Sequence, residues 1–468
     1  MQTDTELTRN ILVTSSLIYV VLNYLLPRSQ IPVLVTVFYF TSMVGKLAIF
    51  KRLVGGLAPF FGTPTTWRTQ WTPVLTNIPK TIGSGHLKFL ALSEDSRVEL
   101  LQAIKTLQAY TISSKKVNDR RRRLFKLMTW RQQRLCEDVG YLNKLKRIDK
   151  SILANQDLFN KIVEFSIQKY GIAFLDFNLL SKNTATQTSA TNYRVIEALG
   201  HFTRDWDKHH EVEPLLKYIK KQLDSLPKDG KTCIIIPGSG LGRIAHEIAN
   251  YGDYDVHAVE YSGLMHLCNE FIYAEPYKKE FYPYIHTCSN FYDTESQFRS
   301  SKLKQTSLPA NLTLHIDDFR YFEVPNKEKY TNVVVLSVFF IDTAENFIDY
   351  LDRIQKLTVP HPKNNPIKNG YWINIGPLKY GSAAQVELNS SEIQQIRAET
   401  GWKDFDVAKS LELDEKLVGY VTDKESMWQG YYGLSMWGSE RKENKANIKR
   451  ETSKIGEKTE QSREKRVN

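Results

Sequence analysis

Residues 232–260 read TCIIIPGSGLGRIAHEIANYGDYDVHAVE, and this stretch decides the fold. The β-branched run Ile234–Ile236 is typical of a strand that is buried on both faces. Three glycines follow at alternate positions and predict a tight turn whose backbone can approach a ligand: Gly238, Gly240 and Gly242. From Leu241 the apolar residues recur at helical spacing, and the acidic Glu260 ends a second strand. The order of strand, glycine turn, helix, strand and acid is that of a nucleotide-binding βαβ unit.

The spacing of the glycines favours one class of ligand. A dinucleotide-binding turn has the pattern G-x-G-x-x-G, and a phosphate-binding P-loop ends in Lys followed by Ser or Thr. Here the pattern is G-x-G-x-G followed by Arg243. With an acid at the end of the next strand, it resembles the S-adenosylmethionine (SAM) site of class I methyltransferases. That resemblance implies that Glu260 binds the ribose hydroxyls and that the glycine backbone packs against the methionine part. The alternative is a turn that only connects strand to helix.

The composition is that of a globular protein with a basic balance. The chain has 468 residues, 41% of them apolar and 25% charged, and a net charge of +11. Its four cysteines show no metal-binding spacing: Cys136, Cys233, Cys268 and Cys288. We expect reduced thiols, no metal, and a location in the cytoplasm or nucleus.

Residues 1–88 are predicted to form an N-terminal extension. Two apolar runs cover residues 11–26 and 31–50, and Lys51 and Arg52 follow them. A bilayer-spanning helix needs about 20 apolar residues, with about 17 as a lower limit, so the second run qualifies and the first is marginal. The pattern predicts a hairpin attached to the cytoplasmic face of a membrane. The alternatives are a pair of buried helices or an extension that docks on the following domain.

Residues 89–190 are predicted to form an all-helical subdomain that ends in a polar linker. Apolar residues repeat at helical spacing from about Ser93 to Tyr170. The run Arg120–Arg123 could contact nucleic acid, but no aromatic platform lies nearby in the sequence, so a solvated helix face is favoured. We therefore expect no nucleic-acid partner.

Residues 191–438 are predicted to form an α/β domain with helices on both faces of a Rossmann-like sheet, and residues 439–468 a disordered charged tail. After the βαβ unit, the third, fourth and fifth strands are expected at residues 312–316, 333–340 and 371–375. The last two strands are expected within residues 416–437. Ligands bind at the carboxyl ends of the strands in such sheets, so the residues that follow the strands are candidates for the site.

Two polar residues are candidates on chemical grounds. Arg204 precedes an Asp-Trp pair and suits a clamp for the cofactor carboxylate, because arginine can hold a carboxylate with two parallel hydrogen bonds. The alternative is an ion pair on a helix surface. Asp342 follows the most apolar strand of the domain and would face the ligand edge. Its alternative role is the N-cap of the next helix.

Five sequence blocks resemble, in order, those of the carnosine N-methyltransferase family, also called N2227-like proteins. They are HFTRDW (201–206), PGSGLGR (237–243), DDF (317–319), FFIDTAEN (339–346) and WINIGPLKY (372–380). The resemblance extends from roughly Ser93 to Lys442. It implies a homodimeric class I methyltransferase that uses SAM, without a metal, to methylate the imidazole of a histidine-containing dipeptide, converting carnosine to anserine.

The resemblance also implies roles for individual residues. Those it places at the cofactor are His201, Arg204, Gly238, Gly240, Gly242, Glu260, Asp318 and Phe319. Asp342 would bind the substrate imidazole, and Tyr380 and Tyr432 would line its pocket. Family members often have Gln in place of His201 and commonly have a histidine in place of Gly381. If that histidine contacts the dipeptide, the second departure points to a different substrate preference.

The chemistry of imidazole agrees with a carboxylate at this position. Methyl transfer needs a lone pair on the attacking nitrogen, and neutral imidazole has one donor and one acceptor nitrogen. By accepting a hydrogen bond from the donor nitrogen, Asp342 would fix the tautomer, aim the other nitrogen and stabilise the imidazolium that develops.

Two other functions remain open at this point. One is methylation of protein histidine or RNA, which Arg120–Arg123 weakly favours. The other is a membrane-tethered module that binds SAM without catalysis. The presence of Arg204, Glu260 and Asp342 argues against the second.

Overall fold

The computed structural model describes residues 4–26, 29–44, 78–181, 190–208, 210–359, 367–409 and 417–441. The chain falls into two compact units. One unit comprises residues 1–76 and 108–157, and the other comprises residues 77–107 and 158–468. The predicted helical subdomain therefore contributes to both units, and the predicted domain boundaries stay predictions.

Helices occupy most of the first half of the chain. The described α-helices are α1 (Asp4–Leu25), α2 (Ile31–Val44), α3 (His86–Leu90), α4 (Glu94–Lys126), α5 (Trp130–Asp138), α6 (Tyr141–Tyr170), α7 (Ala190–Thr203), α8 (Glu213–Asp224), α9 (Arg243–Ala249), α10 (Gly263–Ile272), α11 (Thr294–Gln297), α12 (Phe347–Thr358) and α13 (Ser390–Glu399). Short 3₁₀ segments cover Phe174–Ser181, Lys327–Lys329 and Ile341–Thr343, and a π-helical stretch covers Arg204–Lys208.

The two apolar runs of the N-terminal extension form helices α1 and α2. Among the residues that the structure describes, no helix combines the length and apolar character needed to cross a bilayer. Residues 45–50, the end of the second predicted run, lie outside the described residues. So do residues 182–189 of the predicted linker and the predicted tail from residue 442 onward.

The arginine run of α4 takes part in helix pairing within the first unit. Arg122 forms an ion pair with Asp149 on α6, and its Nη1 lies 2.9 Å from Asp119 Oδ1. Asn118, which is buried, donates from Nδ2 to Asp149 Oδ1 at 2.7 Å and to the Leu145 carbonyl at 2.9 Å. The contacts of Arg122 therefore give this part of the run a structural role.

Eleven strands lie in the part of the chain that the structure describes. They are β1 (Thr232–Pro237), β2 (Tyr254–Glu260), β3 (Glu280–Phe281), β4 (Ser301–Lys302), β5 (Leu312–Ile316), β6 (Asn332–Val338), β7 (Asn369–Gly376), β8 (Trp402–Lys409), β9 (Val418–Gly419), β10 (Tyr431–Tyr432) and β11 (Ser435–Arg441). The main sheet has the order β5-β2-β1-β6-β7-β11-β8, with β11 antiparallel to both of its neighbours. This architecture confirms the predicted Rossmann-like class I methyltransferase sheet.

Strand β1 shows how the sheet is buried on both faces. Successive side chains of a strand point to opposite faces. Ile234 and Ile236 pack in a core with residues of α8 and α9, whereas Cys233 and Ile235 pack in a second core with residues of α12. The predicted run of β-branched residues therefore lies at the centre of a three-layer domain. This packing fixes the carboxyl end of β1, where the glycine turn begins.

The last two strands of the main sheet lie only partly where they were predicted, because β11 begins within residues 416–437 and β8 precedes that range. They are β8 and β11, while β9 and β10, within residues 416–437, form a separate ladder. Strand β8 has exposed Phe405 and Val407 and places acids on its inner side. There Asp404 accepts from Arg397 Nη2 at 2.7 Å, and Asp406 accepts from the Tyr218 hydroxyl at 2.7 Å. The predicted tail also begins too early, since β11 includes residues 439–441.

Candidate functional site

The glycine turn connects β1 to α9 in a left-handed backbone conformation. Gly238, Gly240 and Gly242 have φ values of 58°, 56° and 74°. This region favours glycine, which has no Cβ atom. A Cβ atom at Gly238 would lie 2.5 Å from Cδ2 of Phe340, whereas one at Gly240 would meet no described atom within 4 Å. The turn is thus packed at Gly238 and open at Gly240.

Glu260, at the carboxyl end of β2, closes the turn from the neighbouring strand. Its Oε2 accepts the backbone N–H of Gly240 at 2.8 Å, and its Oε1 accepts that of Ser262 at 2.8 Å. Burial raises the pKa of Glu260, and these two backbone donors oppose the shift. A carboxylate offers about four lone-pair positions, so Glu260 retains capacity to accept from two ribose hydroxyls.

A cavity of about 520 Å³ lies at this edge of the sheet. Its volume is within the range of about 300–1,000 Å³ that is typical of small-molecule sites. Six of the predicted cofactor residues line it: His201, Gly238, Gly240, Glu260, Asp318 and Phe319. The described lining does not include Arg204 or Gly242. Gly242 instead caps α9 and approaches the side chain of Asn269.

One wall of the cavity is aromatic. Phe319 is buried, and its ring lies edge-on at 5.4 Å from Phe340 and 6.0 Å from Tyr350, measured between centroids. Phe340 and Tyr350 stack at 4.5 Å. Next to them, Arg320 donates from Nη2 to Asp318 Oδ2 at 2.6 Å and balances its charge. An apolar wall beside polar groups suits a flat heteroaromatic ring such as adenine, which the family resemblance implies here.

A second group of rings, here called the aromatic cluster, comprises Phe339, Tyr420 and Tyr432. Phe339 stacks on Tyr420 at 4.8 Å, and each of these rings lies 6.2 Å from Tyr432. Phe339 has a φ of 51°, which is uncommon for a residue other than glycine. Burial raises the pKa of Tyr420 to about 12. Phe339 and Tyr420 line the cavity, although the sequence alone predicts a site role for neither of them.

Arg204 and His201 reach the aromatic cluster from α7 and the π-helical stretch that follows it. The Arg204 guanidinium lies 4.8 Å from the Tyr420 ring centroid, and the His201 ring lies edge-on to the same ring at 5.7 Å. Arg204 Nε is 3.0 Å from Asp205 Oδ1, and the Arg204 side chain is only 11% exposed. The ion pair is therefore buried, unlike the surface pair considered as the alternative to a cofactor clamp.

We expect Arg204→Ala to weaken SAM binding about 10- to 100-fold, because hydrogen bonds to charged groups contribute about 1.5–3 kcal/mol. Calorimetric titration of the purified variant with SAM measures this change. Arg353→Ala is a matched control, since Arg353 is equally buried at 11% exposure but pairs with Glu323 and lies outside the described cavity lining. An unchanged dissociation constant for Arg204→Ala would contradict the clamp.

Asp342 lies in the 3₁₀ segment Ile341–Thr343, directly after β6. Its side chain is buried, and Oδ2 accepts the backbone N–H of Lys379 at 3.0 Å. Burial raises the pKa of this carboxyl, and the hydrogen bond from Lys379 opposes the shift. Its chain neighbours Phe340 and Thr343 both line the cavity. Asp342 itself does not belong to the described lining, and its carboxylate is held in a fixed position by the Lys379 N–H.

The alternative role of Asp342 as a helix cap does not apply. Helix α12 begins at Phe347, and its N-cap is Asn346, whose Oδ1 accepts the backbone N–H of Ile348 at 3.0 Å. Four residues separate Asp342 from the start of the helix. Its carboxylate is thus available for a role other than capping.

The two predicted pocket tyrosines, Tyr380 and Tyr432, are both near Lys379, and neither belongs to the described lining of the cavity. Tyr380 follows Lys379 in the chain and is near enough to Asp342 for that carboxylate to raise the tyrosine pKa, although burial is the larger cause. Lys379 Nζ lies 5.8 Å from the Tyr432 ring centroid. These contacts connect Asp342 to the aromatic cluster. At Gly381, a Cβ atom would meet no described atom within 4 Å, so this position adjoins open space.

Glu211 holds the backbone next to Tyr420. This buried carboxylate accepts the N–H of Val421 at 2.8 Å and that of Thr422 at 2.7 Å. Val421 is β-branched and has a φ of 52°, a conformation that costs such a residue energy. The two charge-assisted hydrogen bonds offset that strain, so Glu211 positions Tyr420 against the cavity without lining it.

We expect Glu211→Gln to raise the KM for the methyl acceptor or for SAM about tenfold and to lower Tm, while kcat falls less. The amide retains one acceptor and turns a donor toward the second backbone N–H, which loses about 1.5–3 kcal/mol of hydrogen bonding. Steady-state kinetics and thermal melting measure both effects. Glu213→Gln, an exposed neighbour with the same change of charge, is the control. Unchanged KM values for both substrates would exclude the positioning role.

Comparison with known proteins identifies the family. A profile of carnosine N-methyltransferase matches residues 181–443. The carnosine N-methyltransferase of Schizosaccharomyces pombe is 30% identical over 328 residues, covering 64% of this chain and 83% of the relative. That of Rattus norvegicus is 28% identical over 356 residues, covering 72% and 84%. An uncharacterised protein of Saccharomyces cerevisiae is 29% identical over 334 residues, covering 64% and 72%.

The family match covers more than half of the chain and includes the glycine turn, Glu260, Asp342 and the aromatic cluster. Together with the sheet order, it identifies an enzyme that depends on SAM for methyl transfer. The chain belongs to the carnosine N-methyltransferase family.

Proposed function

We propose that this enzyme methylates an imidazole nitrogen of a histidine-containing dipeptide, converting carnosine to anserine. The observation that carries the proposal is the buried carboxylate of Asp342, which follows β6 directly and is held by the Lys379 N–H, between the cavity-lining residues Phe340 and Thr343. An imidazole acceptor needs a group that accepts its N–H, and a carboxylate meets that need. The choice of a dipeptide rests on the names of the relatives. The choice of an imidazole as the methyl acceptor rests on the position of Asp342.

The residues around the glycine turn fit SAM. Gly240 leaves open space, Glu260 retains acceptor capacity for hydroxyl groups, and Phe319 provides an apolar wall. When bound, SAM supplies an electrophilic methyl group on a sulfonium. The carboxylate of its methionine part would be held by Arg204, whose guanidinium is fixed by Asp205 and Tyr420.

Asp342 then acts on the acceptor. Its carboxylate accepts the imidazole N–H, which leaves the lone pair of the other nitrogen directed at the methyl group. As the ring gains positive charge, the same carboxylate stabilises it without having to reorient, because the Lys379 N–H holds it in place. Tyr380 and the aromatic cluster provide flat surfaces on which an imidazole ring can pack.

The open space at Gly381 bears on the choice of acceptor. Family members commonly have a histidine at this position, and this chain leaves the volume free. Gly381 is exposed and lies outside the described cavity lining, so any contact that the family histidine makes to the dipeptide would be missing here. This observation supports histidine in a longer peptide as the second candidate substrate.

Methyl transfer by the full-length chain from labelled SAM tests the proposal, with carnosine, free histidine, a histidine-containing peptide and RNA offered separately. We expect a carnosine product that mass spectrometry and NMR show to be methylated on the imidazole ring. Transfer to the peptide alone would favour the second candidate. Transfer to RNA alone, or no transfer to any histidine-bearing acceptor by protein that binds SAM, would overturn the imidazole assignment.

The family resemblance also supports a homodimer located in the cytoplasm or nucleus, and both statements stay proposals. Sedimentation of the full-length chain at several concentrations tests the first. Imaging of the tagged chain in cells tests the second.

A further inference from the structure

Helices α1 and α2 contact each other along a narrow stripe and expose apolar side chains around it. The covered positions on α1 recur at helical spacing: Ile11, Ser15, Ile18 and Leu22. In contrast, Leu17 is 62% exposed, Tyr24 85% and, on α2, Leu34 65%. Large exposed apolar patches on a protein mark interaction surfaces. The hairpin therefore needs an apolar partner.

The exposed apolar residues lie on several sides of the hairpin. At 3.6 residues per turn, Leu12, Val13 and Leu25 point in three different directions from the axis of α1, and all three are exposed. A protein partner covers one face of a helix pair. Hydrocarbon chains of lipid surround a helix pair on all of its free sides, so this distribution favours lipid.

The charges of the N-terminal region select the kind of lipid. Residues 7–93 contain no Asp or Glu, although the whole chain has 52 of them. The same stretch contains eight basic residues: Arg9, Arg28, Lys46, Lys51, Arg52, Arg68, Lys80 and Lys88. Basic residues next to an apolar segment are attracted to anionic lipid headgroups, and acidic residues would be repelled. Apolar exposure and charge thus point independently to the same partner.

We propose that α1 and α2 insert into an anionic lipid bilayer and attach the enzyme to its surface. Insertion of the two helices removes their exposed apolar side chains from water, and the basic residues of the N-terminal sequence are attracted to the anionic headgroups. The attachment does not depend on the proposed substrate.

Flotation of the full-length chain with vesicles tests the proposal, comparing pure phosphatidylcholine with an equimolar mixture of phosphatidylcholine and phosphatidylserine. We expect binding to the mixed vesicles that weakens as salt is raised. The double variant Leu17→Asp/Leu34→Asp should lower the bound fraction at least roughly tenfold, because carboxylates are costly in the bilayer. Val139→Asp is the control, since Val139 is 83% exposed and lies next to α5.

Unchanged methyl transfer by the double variant shows that its fold is intact. If the double variant fails to fold, the chain is instead labelled with a fluorophore at Tyr24→Cys, and the signal is corrected for label on the native cysteines. We expect the emission of this fluorophore to shift to shorter wavelengths when mixed vesicles are added. The proposal is overturned if the wild-type chain does not float, if the double variant floats equally well, or if the fluorophore emission is unchanged. A dimer that forms without lipid and is abolished by the double variant would show that a second copy covers the hairpin instead.

Discussion

Asp342→Asn should lower kcat for methyl transfer about 10³-fold while leaving the SAM dissociation constant within about twofold of the wild-type value. Asparagine has nearly the same shape as aspartate and can still accept the Lys379 N–H, so the local structure should remain intact. It lacks the negative charge that stabilises the developing imidazolium. Its NH₂ group can also turn toward the imidazole, where it would favour the wrong tautomer.

Single-turnover kinetics with carnosine and calorimetric SAM titration separate these two quantities. Asp349→Asn is the matched control, because Asp349 is an exposed carboxylate that lines the cavity, and it should change kcat less than about threefold. The variant Asp342→Ala should also retain its affinity for SAM and should lose methyl transfer. Near-normal turnover in either Asp342 variant would remove this carboxylate from the mechanism.

Glu260→Gln should raise the SAM dissociation constant about 10- to 100-fold. The carboxylate accepts two backbone N–H groups and is expected to accept two ribose hydroxyls besides. Glutamine offers a single acceptor oxygen, and its NH₂ group would face a backbone N–H of Gly240 or Ser262. Losing one hydrogen bond to a charged group costs about 1.5–3 kcal/mol, which corresponds to the expected loss of affinity.

The increase of Tm on adding saturating SAM measures the effect apart from any change in the stability of the ligand-free protein. Asp317→Asn removes one negative charge from the same cavity and keeps Glu260 intact, so its ligand-induced shift should remain close to that of the wild type. If SAM raised the Tm of Glu260→Gln as much as it raises that of the wild type, this result would contradict the role of Glu260 at the ribose. Equal losses in both variants would show that net charge, rather than hydrogen bonding, attracts the cofactor.

The nucleotide-binding unit could be predicted because its signals are local. The apolar run of β1, the helical spacing after Leu241 and the acid after β2 each lie within a few residues, and the observed strands end within about two residues of the predicted ends. Strand β8 could not be recognised in this way. Its inner acids, Asp404 and Asp406, are stabilised by partners such as Arg397 and Tyr218, and those partners are brought in by other elements.

The same distinction between local and long-range signals applies to the candidate site. Gly240 and Glu260 are linked by their positions in one βαβ unit, so their contact was predictable. Tyr420 reaches the cavity because Glu211, about 210 residues away in the chain, holds the adjacent backbone. No periodic pattern within one segment contains that information. Phe339 was marked by its sequence block alone, and its left-handed backbone could be known only from the folded chain.

The place of β11 has a consequence for the synthesis of this protein. The strand forms the inner partner of both β7 and β8, yet it is translated after them. At about 5–20 residues per second, the ribosome needs a few seconds to pass from Lys409 to Arg441. During that interval β7, with its buried Trp372 and Ile373, has an unpaired edge open to other nascent chains. A premature stop codon before Ser435 would make that exposure permanent and direct the product toward aggregation or degradation.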